Sequence, residues 1–373
     1  MDAPSPALGQ FAGLFALAAL SLSAFAVSAL LTALLAQGRL AIFQVLDHPN
    51  ERSLHAHPVP RTGGIALLAG LGAGLLAGWA VGLATGLWSS RLSPVTSAEA
   101  RASAALLPWL GSALLLVAGV SFWDDRVDLS RRLRLLVHLM AALLLWWGGL
   151  RWDHLGLPGP LIPLPLLLAL PLTLLYSIWM LNLYNFMDGM DGLAGGMASI
   201  GFGTLALLGY TAGDLPYSLC CAAVAAAAAG FLTRNLPPAR IFLGDIGASS
   251  LGLLAAGLSL WGASVGLFPL WISGLIFSPF IVDATWTLLR RARRGERLWD
   301  AHRSHHYQRL VLAGWGHRRT LYWALALMAA AAASALAAPR LTTSEHWQLI
   351  AGWALIFVLI HLRVGLAERI ARG

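Results

Sequence analysis

The sequence predicts an all-α polytopic membrane protein, and three observations carry that expectation. Of its 373 residues 58% are hydrophobic and 11% are charged, and mean hydropathy is +0.71. The apolar residues also fall in long unbroken runs rather than in the single stripe that a soluble amphipathic helix shows. Several runs reach the ~20 residues that carry a helix across a bilayer. The windows between polar breaks give about eleven spans, near residues 10–36, 64–88, 105–122, 133–150, 161–181, 194–210, 216–233, 247–264, 266–288, 321–338 and 347–362. No soluble domain or tethering linker separates them, so residues 1–373 read as one integral membrane domain.

The first run, "FAGLFALAALSLSAFAVSALLTALLA", ends in small residues as a secretion signal does. The preceding "MDAPSPALGQ" has no Lys or Arg, however, and the run is longer than a signal's apolar core. It reads as a retained first helix with its amino end outside. The only two cysteines, Cys220 and Cys221, are adjacent in an Ala-rich span. A disulfide between neighbours would be strained, so they read as inert core thiols.

Charge then orients the chain. All 25 basic residues are Arg, and with the amino terminus outside, 21 of them fall on inward loops. Only Arg91, Arg101, Arg151 and Arg340 fall on outward ones. That asymmetry is what the positive-inside rule asks of a chain with an odd number of spans, and it places the C-terminus in the cytoplasm. The net charge of +8 therefore belongs to the cytoplasmic face, where it also suits anionic membrane lipids.

Polar motifs sort to the same side. Outward connections such as "RWDHLGLPG" and "TAGDLP" are bland, whereas the inward loops near 37–63, 123–133, 182–195, 234–246 and 289–320 carry clusters. In "WDDRVD", Asp124 and Asp128 lie one helical turn apart with Asp125 beside them, a spacing suited to Mg²⁺ and phosphate or, alternatively, to a dipole-favoured acidic helix terminus. "NLYNFMDGMDGLAGG" holds Asp188 and Asp191 three residues apart among glycines. An Asp at the centre of a spanning helix costs roughly 2.5 to 3.5 kcal/mol, so acids beside membrane-length segments point to an ion or substrate site. Asp245 lies in "FLGDIGASSLG", where Gly244 and Gly247 let backbone approach a ligand. Carboxylates from three loops on one face repel unless a cation gathers them, and a divalent metal is the economical solution.

The last inward loop supplies titratable and positive groups. In "HRSHHYQRL", His302 and His306 are four apart and could share a helical face with Arg309 nearby, which suits phosphate binding or proton transfer near neutral pH. With no cysteine partner the histidines do not form a closed zinc set. Arg290 to Arg297 reads as a solvated basic stretch, and Asp283, seven residues before Arg290, as a structural tie to a cytoplasmic-end arginine.

The ordered motifs "DHPNERSLHAHPVPRTGG", "DDRVDLSRRLRLLVH", "NLYNFMDGMDGLAGG", "NLPPARIFLGDIGASSLG" and "HRSHHYQRL" resemble the polyprenyl-phosphate N-acetylhexosamine-1-phosphate transferases over residues 44–320, and most resemble the branch that starts O-antigen chains. The resemblance implies that undecaprenyl phosphate attacks a UDP-N-acetylhexosamine and releases UMP, with Mg²⁺ or Mn²⁺ as cofactor and no nucleic-acid partner; a homodimer is compatible with it. It implies Asp245 and Asp188 at the metal, Asp124 or Asp125 orienting or deprotonating the lipid phosphate, and Asp191, Asn235 and Phe242 on uridine. It further implies His305 near the diphosphate, Asn185 supporting the acidic loop, and His55, Arg61, His302 and His306 on substrate. Ser53 stands where many members have Lys and the chain has no Lys at all, so any lysine role falls to Arg61 or Arg52, or is absent. The alternatives from other classes are an aromatic-type prenyltransferase, which would show two Asp-rich motifs on helical spacing, and a transporter, which would place charges at mid-span.

Overall fold

A computed structural model describes residues 6–40, 43, 45–47, 57–88, 103–127, 129–297 and 302–372. His55, Arg52 and Asp128 lie outside the described residues. The long helices are α1 (Pro6–Ala36), α2 (Gly63–Ala84), α3 (Leu107–Val127), α4 (Arg131–Trp147), α5 (Leu166–Met187), α6 (Leu193–Thr211), α7 (Leu215–Asn235) and α8 (Gly244–Ser264). A pair, α9 (Leu270–Ile276) and α10 (Ser278–Arg293), follows, then a single turn α11 (His306–Leu310), α12 (Gly316–Ala337) and α13 (Thr343–Arg372). Two antiparallel pairs of two-residue strands, Leu46–Asp47 with Val59–Pro60 and His154–Leu155 with Ile162–Pro163, pin loop ends.

Every apolar window expected from the sequence contains a helix, but not all are alike. Among the described residues nine helices are long and apolar enough to cross a membrane. α4 is shorter, at 17 residues. The single span expected over 266–288 is instead broken, with α9 and α10 meeting at 79°. The break falls at Phe277 (φ −89°, ψ 5°), and Pro279, which has no N–H to continue the ladder of α9, sits in the first turn of α10, where none is needed.

Small residues set how closely the helices approach. Gly70 and Gly74 of α2 lie against Ser28 and Ala24 of α1, and Gly230 of α7 lies against the Phe25 carbonyl, so a side chain at any of them would collide. Such close approaches are how apolar helices associate in the absence of a hydrophobic drive between them. Helix α8 runs through the middle, packed on α3, α5 and α2, with residues 246–262 buried throughout. Its N-terminal end, at Gly244 and Asp245, meets residues 60–64, Asp125 and Arg134.

Candidate active site

The floor of the site is a backbone junction. Phe242 donates its N–H to the Pro60 carbonyl (2.7 Å), while Gly63 and Gly64 donate to the carbonyls of Phe242 (2.9 Å) and Leu243 (2.8 Å). The starts of α2 and α8 thereby lie side by side. A Cβ on Gly64 would fall on the backbone of Gly247, and Gly244 adopts φ +74° with the Arg61 carbonyl where a side chain would go. Two helix N-termini, each with partial positive charge, share this corner.

Asp125 caps one of them from a distant helix. Its Oδ1 and Oδ2 accept the N–H groups of Asp245 (3.3 Å) and Ile246 (3.2 Å). Arg61 holds it from the other side, with Nη2 donating to the Asp125 carbonyl (2.7 Å) and Nε 3.6 Å from Oδ1. Asp124 points elsewhere: Oδ1 accepts from Leu129 N–H (2.6 Å) and Oδ2 from Arg134 Nη1 (3.1 Å). The same Arg134 nitrogen lies 3.9 Å from Asp245, so one guanidinium bridges two acids. Asp124, Arg134, His138, Asn185, Asp245 and Ser249 line a small cleft in which Asn185 and Ser249 exchange side-chain hydrogen bonds (3.1 and 3.3 Å).

The glycine-rich loop enters from below. Gly192, at φ +75°, starts α6 and donates its N–H to Asn235 Oδ1 (2.9 Å), while Asn235 Nδ2 donates to the Ile241 carbonyl (2.9 Å). Asp191 accepts the Ala239 N–H (3.0 Å) and lies 3.6 Å from His317. Burial pushes its carboxyl up, but His317 and the Ala239 N–H outweigh that and hold it below the ordinary range. Asp188, at the end of α5, is pushed well above the ordinary range by burial and by the carboxylates of Asp245, Asp125 and Asp47. Four acids from four segments therefore press on one point.

A family model, "Glycosyl transferase family 4", matches residues 107–263. The chain is 31% identical over 287 residues to the probable undecaprenyl-phosphate N-acetylglucosaminyl 1-phosphate transferase of Bacillus subtilis, covering 76% of this chain and 74% of the relative. It belongs to the polyprenyl-phosphate N-acetylhexosamine-1-phosphate transferases. The undecaprenyl-phosphate alpha-N-acetylglucosaminyl 1-phosphate transferase of Yersinia pestis is 25% identical over 88% of this chain and 86% of its own length. The phospho-N-acetylmuramoyl-pentapeptide-transferase of Lactiplantibacillus plantarum is 29% identical over 65% of this chain and 75% of its own.

In this transferase the fold brings Asp124, Asp125, Asp188, Asp245, Asn185 and Arg61 into one cluster, with Asp191, Asn235 and Phe242 along the adjoining loop. The histidines sit differently from expectation. Residues 302–304 are not helical, and only 306–310 form a turn, so His302 and His306 do not share a helical face. Burial and the neighbouring His305 and Arg291 push His302 down to about 4, leaving it neutral at pH 7. His306 contacts His361 of α13 (3.1 Å) and Arg309 makes a two-bond ion pair with Glu368 (2.6 Å each), both turned toward the C-terminal helix. Asp283 pairs with His305 and His306 rather than with an arginine, because the loop folds back so that these residues, not Arg290, reach it.

Sequence reasoning passed over Arg134, His138 and Ser249. Arg134 and His138 stand four apart on α4, facing the acidic cleft from one helical face, and that spacing was the available signal. Nothing local marks Ser249 or His317.

The donor set suits a hard cation: Asp245 and Asp124 offer carboxylate oxygens in the cleft beside Asn185 and Ser249, and Asp188 feels the charge of Asp245. Among the described residues no group of three or more ligating side chains closes a ready-made metal site. Mg²⁺ does not require one, since it is commonly held by one or two carboxylates together with substrate phosphates.

Proposed function

We propose that this transferase moves an N-acetylhexosamine 1-phosphate from a UDP-sugar to undecaprenyl phosphate, as the first step of O-antigen or related envelope polysaccharide synthesis. The reaction takes place at the cytoplasmic face of a bacterial inner membrane. The arginine asymmetry, read with the amino terminus outside, supports placing all five motif loops on that face. The single observation that carries this reading is the convergence of acids from separate motifs on the start of α8, where Asp125 accepts the N–H groups of Asp245 and Ile246 and one Arg134 guanidinium lies between Asp124 and Asp245.

An oxygen of the lipid phosphate attacks the β-phosphorus of the nucleotide sugar, and the bond from that phosphorus to the bridging oxygen breaks, so that UMP departs. Such a transfer needs positioning and charge stabilisation more than covalent chemistry. Mg²⁺, when bound by Asp188 and Asp245, supplies neutralisation of the diphosphate. Asp124, held by Arg134, orients the incoming lipid phosphate, and Arg134 itself lies where it can share that charge. Asp125 and Arg61 fix the start of α8 and so the place of Asp245. Phe242 offers its partly exposed ring to uracil. Asn235 spends its amide on backbone and shapes the uridine wall, with Asp191, from behind. His305 stands near the diphosphate.

Membranes containing the protein, incubated with radiolabelled UDP-N-acetylglucosamine and undecaprenyl phosphate, should yield lipid-extractable label that tunicamycin blocks. Asp245→Asn should abolish that label while the protein still inserts. Unchanged labelling by Asp245→Asn at low Mg²⁺ would remove Asp245 from the metal.

A further inference from the structure

We propose that Asp283, the buried carboxylate of α10, is a positioning residue that fixes the His305 imidazole for the transfer step; this rests on the reading that His305 works beside the diphosphate. Asp283 is 6% exposed and sits just past the bend at Phe277. Its Oδ1 accepts the His306 N–H (2.8 Å) and the Thr287 hydroxyl (3.2 Å), and its Oδ2 accepts the Tyr307 N–H (3.4 Å). The same carboxylate faces two imidazoles, 3.4 Å from Nδ1 of His305 and 3.3 Å from Nδ1 of His306.

The two rings are not equivalent. His306 has its second nitrogen occupied as well, Nε2 lying 3.1 Å from His361. His305 meets a carboxylate on its Nδ1 edge, and its ring is held by stacking on Phe186 (6.1 Å between centroids, 26°) and Tyr307 (5.9 Å, 12°) and by the tilted His302 ring (4.9 Å, 36°). Tyr307 in turn donates its hydroxyl to the Phe186 carbonyl (3.0 Å), two residues before Asp188. So held, and with one edge turned to Asp283, the ring has Nε2 on the opposite edge. A carboxylate at Nδ1 sets which nitrogen carries the proton and supports the imidazolium against developing negative charge. The 3.4 Å separation is longer than a formed hydrogen bond, and His305 Nδ1 has no other partner among the described residues. Such contacts commonly tighten only when substrate is bound.

A purely structural tie would not need a charge. An ionised carboxylate in an apolar helix pair is costly to desolvate, whereas the single oxygen of a neutral amide would still accept the closer of the two turn bonds, that from the His306 N–H. The charge makes sense if it acts on a cation, and both of its ion-pair partners among the described residues are histidines.

The test is a double-mutant cycle in the full-length protein, measuring kcat, KM for the UDP-sugar, UMP affinity and thermal stability in detergent. Asp283→Asn should lower kcat by about tenfold or more while leaving UMP affinity within about twofold. Combined with His305→Ala it should add little to the loss that His305→Ala causes alone, because both act through one group. Asp283→Glu, which keeps the charge, should recover part of the activity lost in Asp283→Asn, and it serves if the Asn variant does not fold. Full additivity of the two losses, or a kcat for Asp283→Asn within twofold of wild type, overturns the proposal. If His305→Ala itself leaves kcat unchanged, the reading of His305 fails first and the role of Asp283 falls with it.

Discussion

Asp188 and Asp191 stand three residues apart on one loop, and the protein pushes them in opposite directions. Asp191 meets a backbone N–H and a histidine and is held below the ordinary carboxylate range. Asp188 meets three other acids and is pushed well above it. Burial raises both, so partners decide the difference. One carboxylate fastens the loop between α7 and α8, and the other is buried near like charges that favour its protonated form. The same division runs through the adjacent pair on α3, where Asp125 is spent on the start of α8 and Asp124 shares Arg134 with Asp245.

The largest effect that would sharpen this contrast is at Asp188. Asp188→Asn should reduce transfer by about a hundred- to a thousandfold, the range for removing one preorganised electrostatic group. It should at the same time stabilise the protein without divalent cation at neutral pH. The sign follows from linkage: the folded-state value is raised, so the stability this group supports is present at low pH and lost as pH rises through that value. An amide never ionises and keeps it. Melting temperatures with and without Mg²⁺ check this, and loss of stability together with activity would group Asp188 with the structural acids.

An intermediate effect is expected on base binding. Phe242→Leu should weaken UMP and UDP-sugar binding about ten- to a hundredfold with kcat nearly unchanged, since stacking on a base contributes roughly 1 to 3 kcal/mol in ground and transition states alike. His305→Ala should lower kcat and leave UMP, which lacks the β-phosphate, bound as before. Equal loss of UMP affinity in both variants would break the assignment of Phe242 to the base.

The smallest effect is at Asp191. Asp191→Asn still accepts the Ala239 N–H but loses its charge toward His317, a partly exposed pair whose contribution is under about 1 kcal/mol. Because the folded-state value is depressed, that contribution is present above the ordinary 3.8 and is lost as pH falls through the lower folded value. Wild type and variant should therefore differ at neutral pH and converge in acid. A difference that persists in acid would show that Asp191 acts through geometry rather than charge.

The sequence by itself determined the helices and the clustering of chemistry. Hydropathy is a local sum, so each apolar window became a helix whatever its neighbours, and the loops bearing Asp124, Asp188, Asp245 and His305 could be grouped before any contact was known. Even the break just before Ser278–Pro279 is written locally, although a hydropathy window averages over it. What only the tertiary structure decided is which polar atom meets which. Asp125 and the N–H of Asp245 are 120 positions apart in the chain, Asn235 ties Gly192 across 43, and Asp283 finds histidines 22 and 23 residues on instead of the arginine seven residues away. A carboxylate's role is fixed by its nearest groups, because hydrogen bonds form only at about 3 Å and charge, though it reaches further in an apolar interior, acts most strongly at contact. Composition records none of those distances, so the motifs announce that acids and histidines will be used, and the folded loops determine which of them hold backbone and which face the substrate side.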